Sequence, residues 1–184
     1  MTKIIEKPST PISKRANIGL YYVKNWKLLF EGIDHVKHQP PNKGEYYLTD
    51  AFQYMIDRGA KIKVIDVEGW YDAGKLDTFL DTNRVMLEKG RARRPATVPP
   101  GSSIVDPVYI EDGVKIHNAT IGPNVSIGAG TVIDGSTIRN TIIGSKSRVA
   151  HSSLSDSMLG DEVVVEGIQG SATLGDHSEV RDET

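Results

Sequence analysis

The sequence contains no cysteine, which excludes disulfides and thiolate metal sites. It has no excess of charge of one sign, because 22 basic and 24 acidic residues leave a net charge of −2. That balance argues against a general nucleic-acid-binding protein. No apolar run approaches the ~20 residues that a membrane-spanning helix needs, and no secretory leader pattern opens the chain. We therefore expect a cytoplasmic protein whose partners include neither nucleic acid nor membrane.

The first half of the 184 residues alternates between strand-like and helix-like patterns. Residues 17–23 and 61–67 are predicted strands, whereas residues 25–33, 48–59 and 76–90 carry apolar side chains at helical spacing. This alternation is typical of an α/β layer fold. We expect only part of such a layer here, because strands without neighbours leave open sheet edges and an uncovered apolar face.

A stretch rich in proline and small polar residues, 91–103, predicts a linker, and the short basic run 88–95 is interpreted as solvated. After this linker, apolar residues recur every five or six positions. They are Ile104, Ile110, Ile116, Ile121, Ile127, Ile133, Ile138, Ile143, Val149, Leu154, Leu159 and Val165. One short strand and one turn have this combined length, so the spacing predicts stacked coils of a parallel β-helix. Residues 168–184 are predicted to cap it.

Both halves resemble known families. The coils resemble hexapeptide repeats, which wind into left-handed parallel β-helices. In the first half, "IIEKPSTPISKRANIGLYYV", "GEYYLTDAFQYMIDRG" and "GWYDAGKLDTFLDTNRVML" occur in order. They resemble the C-terminal part of the catalytic domain of sugar-1-phosphate nucleotidyltransferases, and with the β-helix they resemble the long form of glucose-1-phosphate thymidylyltransferase. The resemblance implies a sugar-binding part at 1–90, a linker at 91–103 and a left-handed β-helix at 104–184.

The resemblance also implies a reaction. A sugar 1-phosphate, expected to be glucose 1-phosphate, attacks the α-phosphorus of a nucleoside triphosphate, expected to be dTTP, and pyrophosphate leaves. In the family's Glu-Lys-Pro motif, which is Glu6 to Pro8 here, the carboxylate of Glu6 accepts from sugar hydroxyls and Lys7 meets the sugar phosphate. The backbone at Asn17 approaches the sugar, and Gly19 permits that approach. Asn17 stands where we expect an aliphatic residue.

Asp72, in "GWYDAGK", matches a family carboxylate that binds Mg²⁺ between the reacting phosphates. The resemblance makes Lys7 and Asp72 the catalytic residues. Trp70 is expected to pack beneath Asp72. An alternative interpretation makes Asp72 the N-cap of the following helix. Glu45, Thr49 and Asp50 are interpreted as residues of a helix start, with contact to the substrate as the alternative.

The family's glycine-rich triphosphate loop and its first metal-binding aspartate have no match in the sequence. We therefore expect a missing N-terminal nucleotide-binding part as a partner, and we expect the 184 residues alone to be inactive. The expected origin is a fragment of a longer enzyme, a truncated gene product or one piece of a split protein.

Two other functions remain open. Hexapeptide acyltransferases use a histidine base, and His117, His151 and His177 are candidates near turns. Alternatively, the β-helix is a non-catalytic assembly or regulatory module. In either case stacked coil faces suit a homo-oligomer. His35 and His38 have no clear third ligand in the sequence nearby, so we do not interpret them as a zinc site.

Overall fold

The computed structural model describes residues 1–42 and 44–182. Three α-helices precede the β-strands: α1 (Trp26–Lys37), α2 (Leu48–Asp57) and α3 (Leu76–Met86). A π-helical turn, Leu87–Arg91, continues α3. The chain divides by its contacts into two compact units, an N-terminal unit Met1–Trp70 and a C-terminal unit Tyr71–Thr184.

Helices α1 and α2 pack against each other in the N-terminal unit. Asn25 caps α1 because its side-chain oxygen accepts from the backbone N–H of Leu28 at 3.3 Å. A Cβ atom at Gly32 would lie 2.9 Å from the carbonyl oxygen of Ala51, so the glycine permits the close helix crossing. Phe52 of α2 is buried at this contact, as its helical spacing predicts.

Helix α1 is longer than predicted, since it continues from the expected end at residue 33 to Lys37. Asp50 lies in the first turn of α2, as predicted for a helix start. Thr49 does not cap the helix, because its hydroxyl is buried without a hydrogen-bond partner. Glu45 lies before α2, and its carboxylate accepts from Lys7 instead of from the first turn of the helix. Its assignment to the helix start is therefore wrong.

The two predicted strands of the N-terminal unit are not formed. Among the described residues before Ser103, no β-strand is assigned to 17–23 or 61–67. Leu20 is 81% exposed, Tyr22 is 94% exposed and Ile65 is 76% exposed. A strand needs a neighbour to receive its backbone hydrogen bonds, and these segments have no ladder partner in the described part of the chain.

The C-terminal unit contains a parallel β-helix, in which short strands stack from one coil to the next. Its strands are β1 (Ser103–Ile104), β2 (Val108–Ile110), β3 (Lys115–His117), β4 (Thr120–Ile121), β5 (Val125–Ile127), β6 (Val132–Asp134), β7 (Thr137–Ile143), β8 (Arg148–Ala150), β9 (Ser153–Leu159), β10 (Val164–Glu166), β11 (Gln169–Gly170), β12 (Thr173–Leu174) and β13 (Glu179–Arg181). Each strand pairs in parallel with its equivalent in a neighbouring coil, and the strands inside the stack pair on both sides. This confirms the predicted parallel β-helix.

Three interior columns run through the coils, one on each face, and the register aligns the apolar residues. The first column is Ile104, Ile121, Ile138 and Leu154. The second is Ile110, Ile127, Ile143, Leu159 and Leu174. The third is Ile116, Ile133, Val149 and Val165; Val180 continues its register in the last coil but is exposed. All twelve residues that carry the predicted spacing belong to the buried core.

Hydroxyl side chains fill the inner corners between faces. The Ser147 hydroxyl donates to the Gly160 carbonyl at 3.0 Å and accepts from the Val163 N–H at 3.0 Å. In the preceding coil, Thr131 donates to the Gly144 carbonyl at 2.8 Å. Buried backbone groups at the corners are thus satisfied by side chains, as burial demands.

Part of the predicted linker joins the first coil. The Arg93 backbone bonds Val108 and Ile110 at 2.8 Å each, and the Arg93 guanidinium contacts Asp112 at 2.5 Å. Arg94 pairs with Asp106 at 3.0 Å. The family-based division at residues 90 and 104 stays a prediction. Lys43 in the predicted loop, and Glu183 and Thr184 in the predicted cap, lie outside the described residues.

Within the described chain, every helix is too short or too polar to cross a bilayer.

Candidate functional site

The Glu-Lys-Pro motif forms an exposed turn in the N-terminal unit. Lys7 has a φ of 42°, in the left-handed region that only a tight turn imposes on such a residue. Its side chain is exposed, and that of Glu6 is half-buried. Pro8 fixes the backbone directly after Lys7. The turn therefore exposes the Lys7 cation, and the half-buried Glu6 precedes it in the sequence.

The Lys7 ammonium group is paired with a carboxylate of the same unit. It lies 3.3 Å from the Glu45 carboxylate and 5.2 Å from the centre of the Tyr47 ring. The Tyr47 hydroxyl donates to the same Glu45 oxygen at 2.7 Å. The three side chains, which we call the Lys7 cluster, form a small charged network at the surface.

The Lys7 cluster shifts the pKa of all three groups. The hydrogen bond to Glu45 is the main reason that the pKa of Lys7 is raised, so the ammonium stays charged. Hydrogen bonds from Tyr47 and then from Lys7 lower the pKa of Glu45. The pKa of Tyr47 is raised, chiefly because its hydroxyl bonds Glu45. The network holds one cation and one anion near neutral pH.

Asn17 and Gly19 form a second turn in the same unit. The Asn17 side-chain oxygen accepts from the Gly19 N–H at 3.0 Å, and its amide group donates to the Tyr21 hydroxyl. Gly19 has a φ of +80°, and no atom lies within 4 Å of the place where a Cβ would stand. Glycine is required here by conformation, and the space beside its backbone is open to a ligand.

Asp72 lies at the start of the C-terminal unit. Its side-chain oxygen Oδ1 accepts from the Gly74 N–H at 3.1 Å, and its backbone carbonyl accepts from the Thr82 hydroxyl at 2.7 Å. Helix α3 begins later, at Leu76, with Lys75 as its N-cap. The interpretation of Asp72 as the N-cap is therefore wrong. Trp70 is 63% exposed, so the expectation that it packs beneath Asp72 is also wrong.

The carboxylate of Asp72 fits Mg²⁺ as one oxygen ligand. Magnesium binds through one or two carboxylates together with phosphate oxygens and water. Asp72 keeps one carboxylate oxygen outside its turn hydrogen bond, since only Oδ1 bonds Gly74. In the described residues, no group of three or more His, Asp or Glu side chains could hold a metal ion. Asp72 would therefore act as one ligand beside phosphate oxygens and water.

The predicted residues thus lie in two groups. Glu6, Lys7, Asn17 and Gly19 belong to the N-terminal unit, and Asp72 belongs to the C-terminal unit. Their union in one site stays a prediction. The sequence analysis missed Glu45 as a partner of Lys7, because 38 residues separate the two and no local pattern links them.

The histidines have local roles. His117, His151 and His177 are exposed on different coils, and His177 lies 3.3 Å from the Glu162 carboxylate. His35 stacks on the Tyr54 ring with centroids 4.8 Å apart.

Comparison with known proteins supports the motif assignment. The family model described as nucleotidyl transferase matches residues 1–89. The chain is 31% identical over 166 residues to glucose-1-phosphate thymidylyltransferase of Streptomyces antibioticus, covering 89% of this chain and 46% of the relative.

Two bifunctional proteins are also similar. Bifunctional protein GlmU of Pediococcus pentosaceus is 30% identical over 195 residues, or 98% of this chain and 39% of the relative. A bifunctional sugar-1-phosphate nucleotidylyltransferase/acetyltransferase of Sulfurisphaera tokodaii is 29% identical over 197 residues, or 95% and 47%. The chain spans less than half the length of these curated relatives. Residues 1–89 match the nucleotidyl transferase family model, and the chain is homologous to glucose-1-phosphate thymidylyltransferase and to GlmU over part of their length.

Proposed function

We propose that the N-terminal residues supply the sugar side of a nucleotidyl-transfer site of the long-form thymidylyltransferase type. In this reaction an oxygen of glucose 1-phosphate bonds to the α-phosphorus of dTTP, and the bond to the β-phosphate oxygen breaks so that pyrophosphate leaves. The supporting observation is the exposed turn that offers Glu6 and Lys7 together, within the segment that matches the family.

The residues of this chain act by positioning and by charge. Glu6 accepts hydrogen bonds from sugar hydroxyls, and Lys7 binds the sugar phosphate as a compact positive charge. The open backbone face at Gly19 admits the sugar ring. Mg²⁺, when bound, neutralises charge on the phosphates, and Asp72 is the side chain of this chain that would hold it. Phosphoryl-type transfer depends mainly on such positioning and charge neutralisation.

The Lys7 ammonium has three N–H donors, so it can bind the sugar phosphate while it keeps Glu45, or it can exchange Glu45 for the phosphate. The phosphate carries up to two negative charges, whereas Glu45 carries one, so the phosphate competes well for the ammonium group. Glu45 remains bound by Tyr47 when Lys7 leaves it. The Lys7 cluster therefore holds the ammonium group at the turn before the phosphate arrives.

Calorimetric titration tests this assignment. We expect glucose 1-phosphate to bind the chain, free glucose not to bind, and Lys7→Ala to weaken binding by about ten-fold or more, as loss of a charge-assisted hydrogen bond implies. Lys3→Ala removes an exposed lysine from the same segment and is the matched control. Equal losses in both variants would refute the role of Lys7.

We further propose that the nucleotide side is supplied by a nucleotide-binding polypeptide segment that pairs with residues 17–23 and 61–67. Their unpaired, exposed apolar side chains support this. The 184 residues alone should then release no pyrophosphate from dTTP, glucose 1-phosphate and Mg²⁺. Steady release by the purified chain, abolished by Lys7→Ala, would overturn this part of the proposal.

A further inference from the structure

Helix α3 connects the Asp72 turn to the β-helix within the C-terminal unit. Leu80 is buried on α3, and Leu87 is buried in the turn that follows. The helix packs against β5, β7 and β9. Burial of Leu80 and Leu87 turns one face of α3 toward the β-helix. A directional contact on that face would define the rotation of α3 more narrowly than apolar burial, which is not directional.

The Asp72 turn is held by α3 from one side. The Thr82 hydroxyl donates to the backbone carbonyl of Asp72 at 2.7 Å, across ten residues of sequence. The side-chain oxygen of Asp72 bonds Gly74 within the turn. The position of this carboxylate therefore follows the position of Thr82.

Asn83, which follows Thr82 on α3, forms hydrogen bonds with the β-helix. The Asn83 side-chain amide donates to the backbone carbonyl of Asn124 at 3.3 Å, and the Asn83 oxygen accepts from the Ser126 hydroxyl at 2.5 Å. Asn124 belongs to the turn before β5, and Ser126 lies within β5. One half-buried side chain thus makes both hydrogen bonds to a single coil.

Only an amide of this size satisfies both partners. Asparagine offers a donor and an acceptor on one short stem. An aspartate would have no donor for the Asn124 carbonyl, and an apolar residue would leave both partners without their bond. Two hydrogen bonds from one planar group define an orientation more narrowly than packing of Leu80 does.

We propose that Asn83 is a positioning residue that fixes the rotation of α3 on the β-helix and so places the Asp72 turn held by Thr82. The β-helix then serves as the rigid frame of the proposed metal carboxylate, a role beyond assembly. The positioning itself is independent of the proposed function, and only its link to the metal rests on that function.

Distance measurement between spin labels tests the positioning. The chain has no cysteine, so Ala73→Cys and Arg148→Cys create unique label sites at two exposed residues, one beside Asp72 and one on β8. Pulsed electron–electron double resonance should give one narrow distribution of distances between the two spin labels. We expect Asn83→Ala to lose that narrow distribution while the β-helix stays folded by circular dichroism.

Asp81→Ala is the matched control. Asp81 is exposed on the same helix, and among the described residues its ion pair is with Arg84 of that helix. This control should keep the narrow distribution even if its melting temperature falls. A narrow, unchanged distribution in Asn83→Ala would overturn the proposal, as would equal broadening in Asp81→Ala.

A metal titration separates this proposal from the proposed function. Mn²⁺, used alone as a paramagnetic probe, should broaden the amide resonances around Asp72, and Asp72→Asn should abolish the effect. Asn83→Ala should weaken it. A broadened distribution of label-to-label distances in Asn83→Ala, without any Mn²⁺ effect at Asp72, would support the positioning role and refute the metal role. Mn²⁺ binding at Asp72 that Asn83→Ala leaves unchanged would refute the link between them.

Discussion

At the residue scale, the state of Lys7 before substrate binds is set by Glu45 and Tyr47. The ammonium, the carboxylate and the hydroxyl form one exposed network. Exposed ion pairs contribute little to folding stability. The Lys7 cluster therefore contributes little to stability, and its main effect is to hold the ammonium group at the turn.

The Glu45 carboxyl should titrate below an ordinary glutamate. Tyr47→Phe and Lys7→Ala should each raise the pKa of Glu45, because each removes a hydrogen bond that favours the ionised form. Carbon-13 NMR of the carboxyl across pH measures this, and Lys3→Ala should leave the pKa unchanged. A Glu45 pKa that neither variant raises would contradict the cluster.

The lowered pKa of Glu45 also determines how the contribution of this residue to folding stability depends on pH. Since folding lowers the pKa of Glu45, its contribution is present above the unfolded value of about 4.3 and is lost as pH falls through the folded value.

The sequence predicted Lys7 and Asp72 as exposed polar residues of turns, and the structure agrees. It did not predict the partners of Lys7, because a contact across 38 residues depends on how the chain folds back. The exposure of Trp70 was missed for a related reason: an aromatic residue suggests burial, but burial needs neighbours that the described chain does not provide.

At the scale of elements, the β-helix was predictable because the same five- or six-residue spacing recurs in every coil. Ile138 pairs with Leu154, and Ile143 with Leu159, as this recurring spacing implies. The predicted strands at 17–23 and 61–67 failed because a strand pattern describes only half of a pair. The end of α1 was misjudged because Asp34 to Lys37 continue a helix without strong apolar spacing.

Glycines stack at one turn of successive coils, and a substitution in this column tests how closely the coils stack. A Cβ at Gly144 would lie 2.4 Å from the Gly160 carbonyl oxygen, a backbone atom that cannot move aside. Gly144→Ala should therefore cost about 1–3 kcal/mol in the free energy of unfolding, as overpacking does. Chemical denaturation followed by circular dichroism measures the change.

Gly175 is the matched control for that substitution, since it occupies the last turn of the column and no atom lies within 4 Å of the place where its Cβ would stand. Gly175→Ala should leave stability nearly unchanged. Equal effects of the two substitutions would mean that coil contact is not what Gly144 permits.

At the scale of the whole molecule, exposed apolar side chains of the N-terminal unit should cause self-association of the isolated chain. Replacing Leu20 and Ile65 by lysine should reduce it, because unpaired, uncharged edges are what allow strand pairing between chains. Light scattering across protein concentration measures the change. Val105→Lys alters an exposed apolar residue of the β-helix and is the control. A parent chain that stays monomeric at all concentrations would contradict this prediction.

The central claim is that the Glu6–Lys7 turn binds a sugar phosphate, and a crystal structure of the chain with glucose 1-phosphate tests it most directly. We predict a phosphate oxygen about 2.7–2.9 Å from the Lys7 ammonium, as in charge-assisted hydrogen bonds, with sugar hydroxyls donating to Glu6. Glucose 1-phosphate bound elsewhere, with Lys7 still paired to Glu45, would contradict the account.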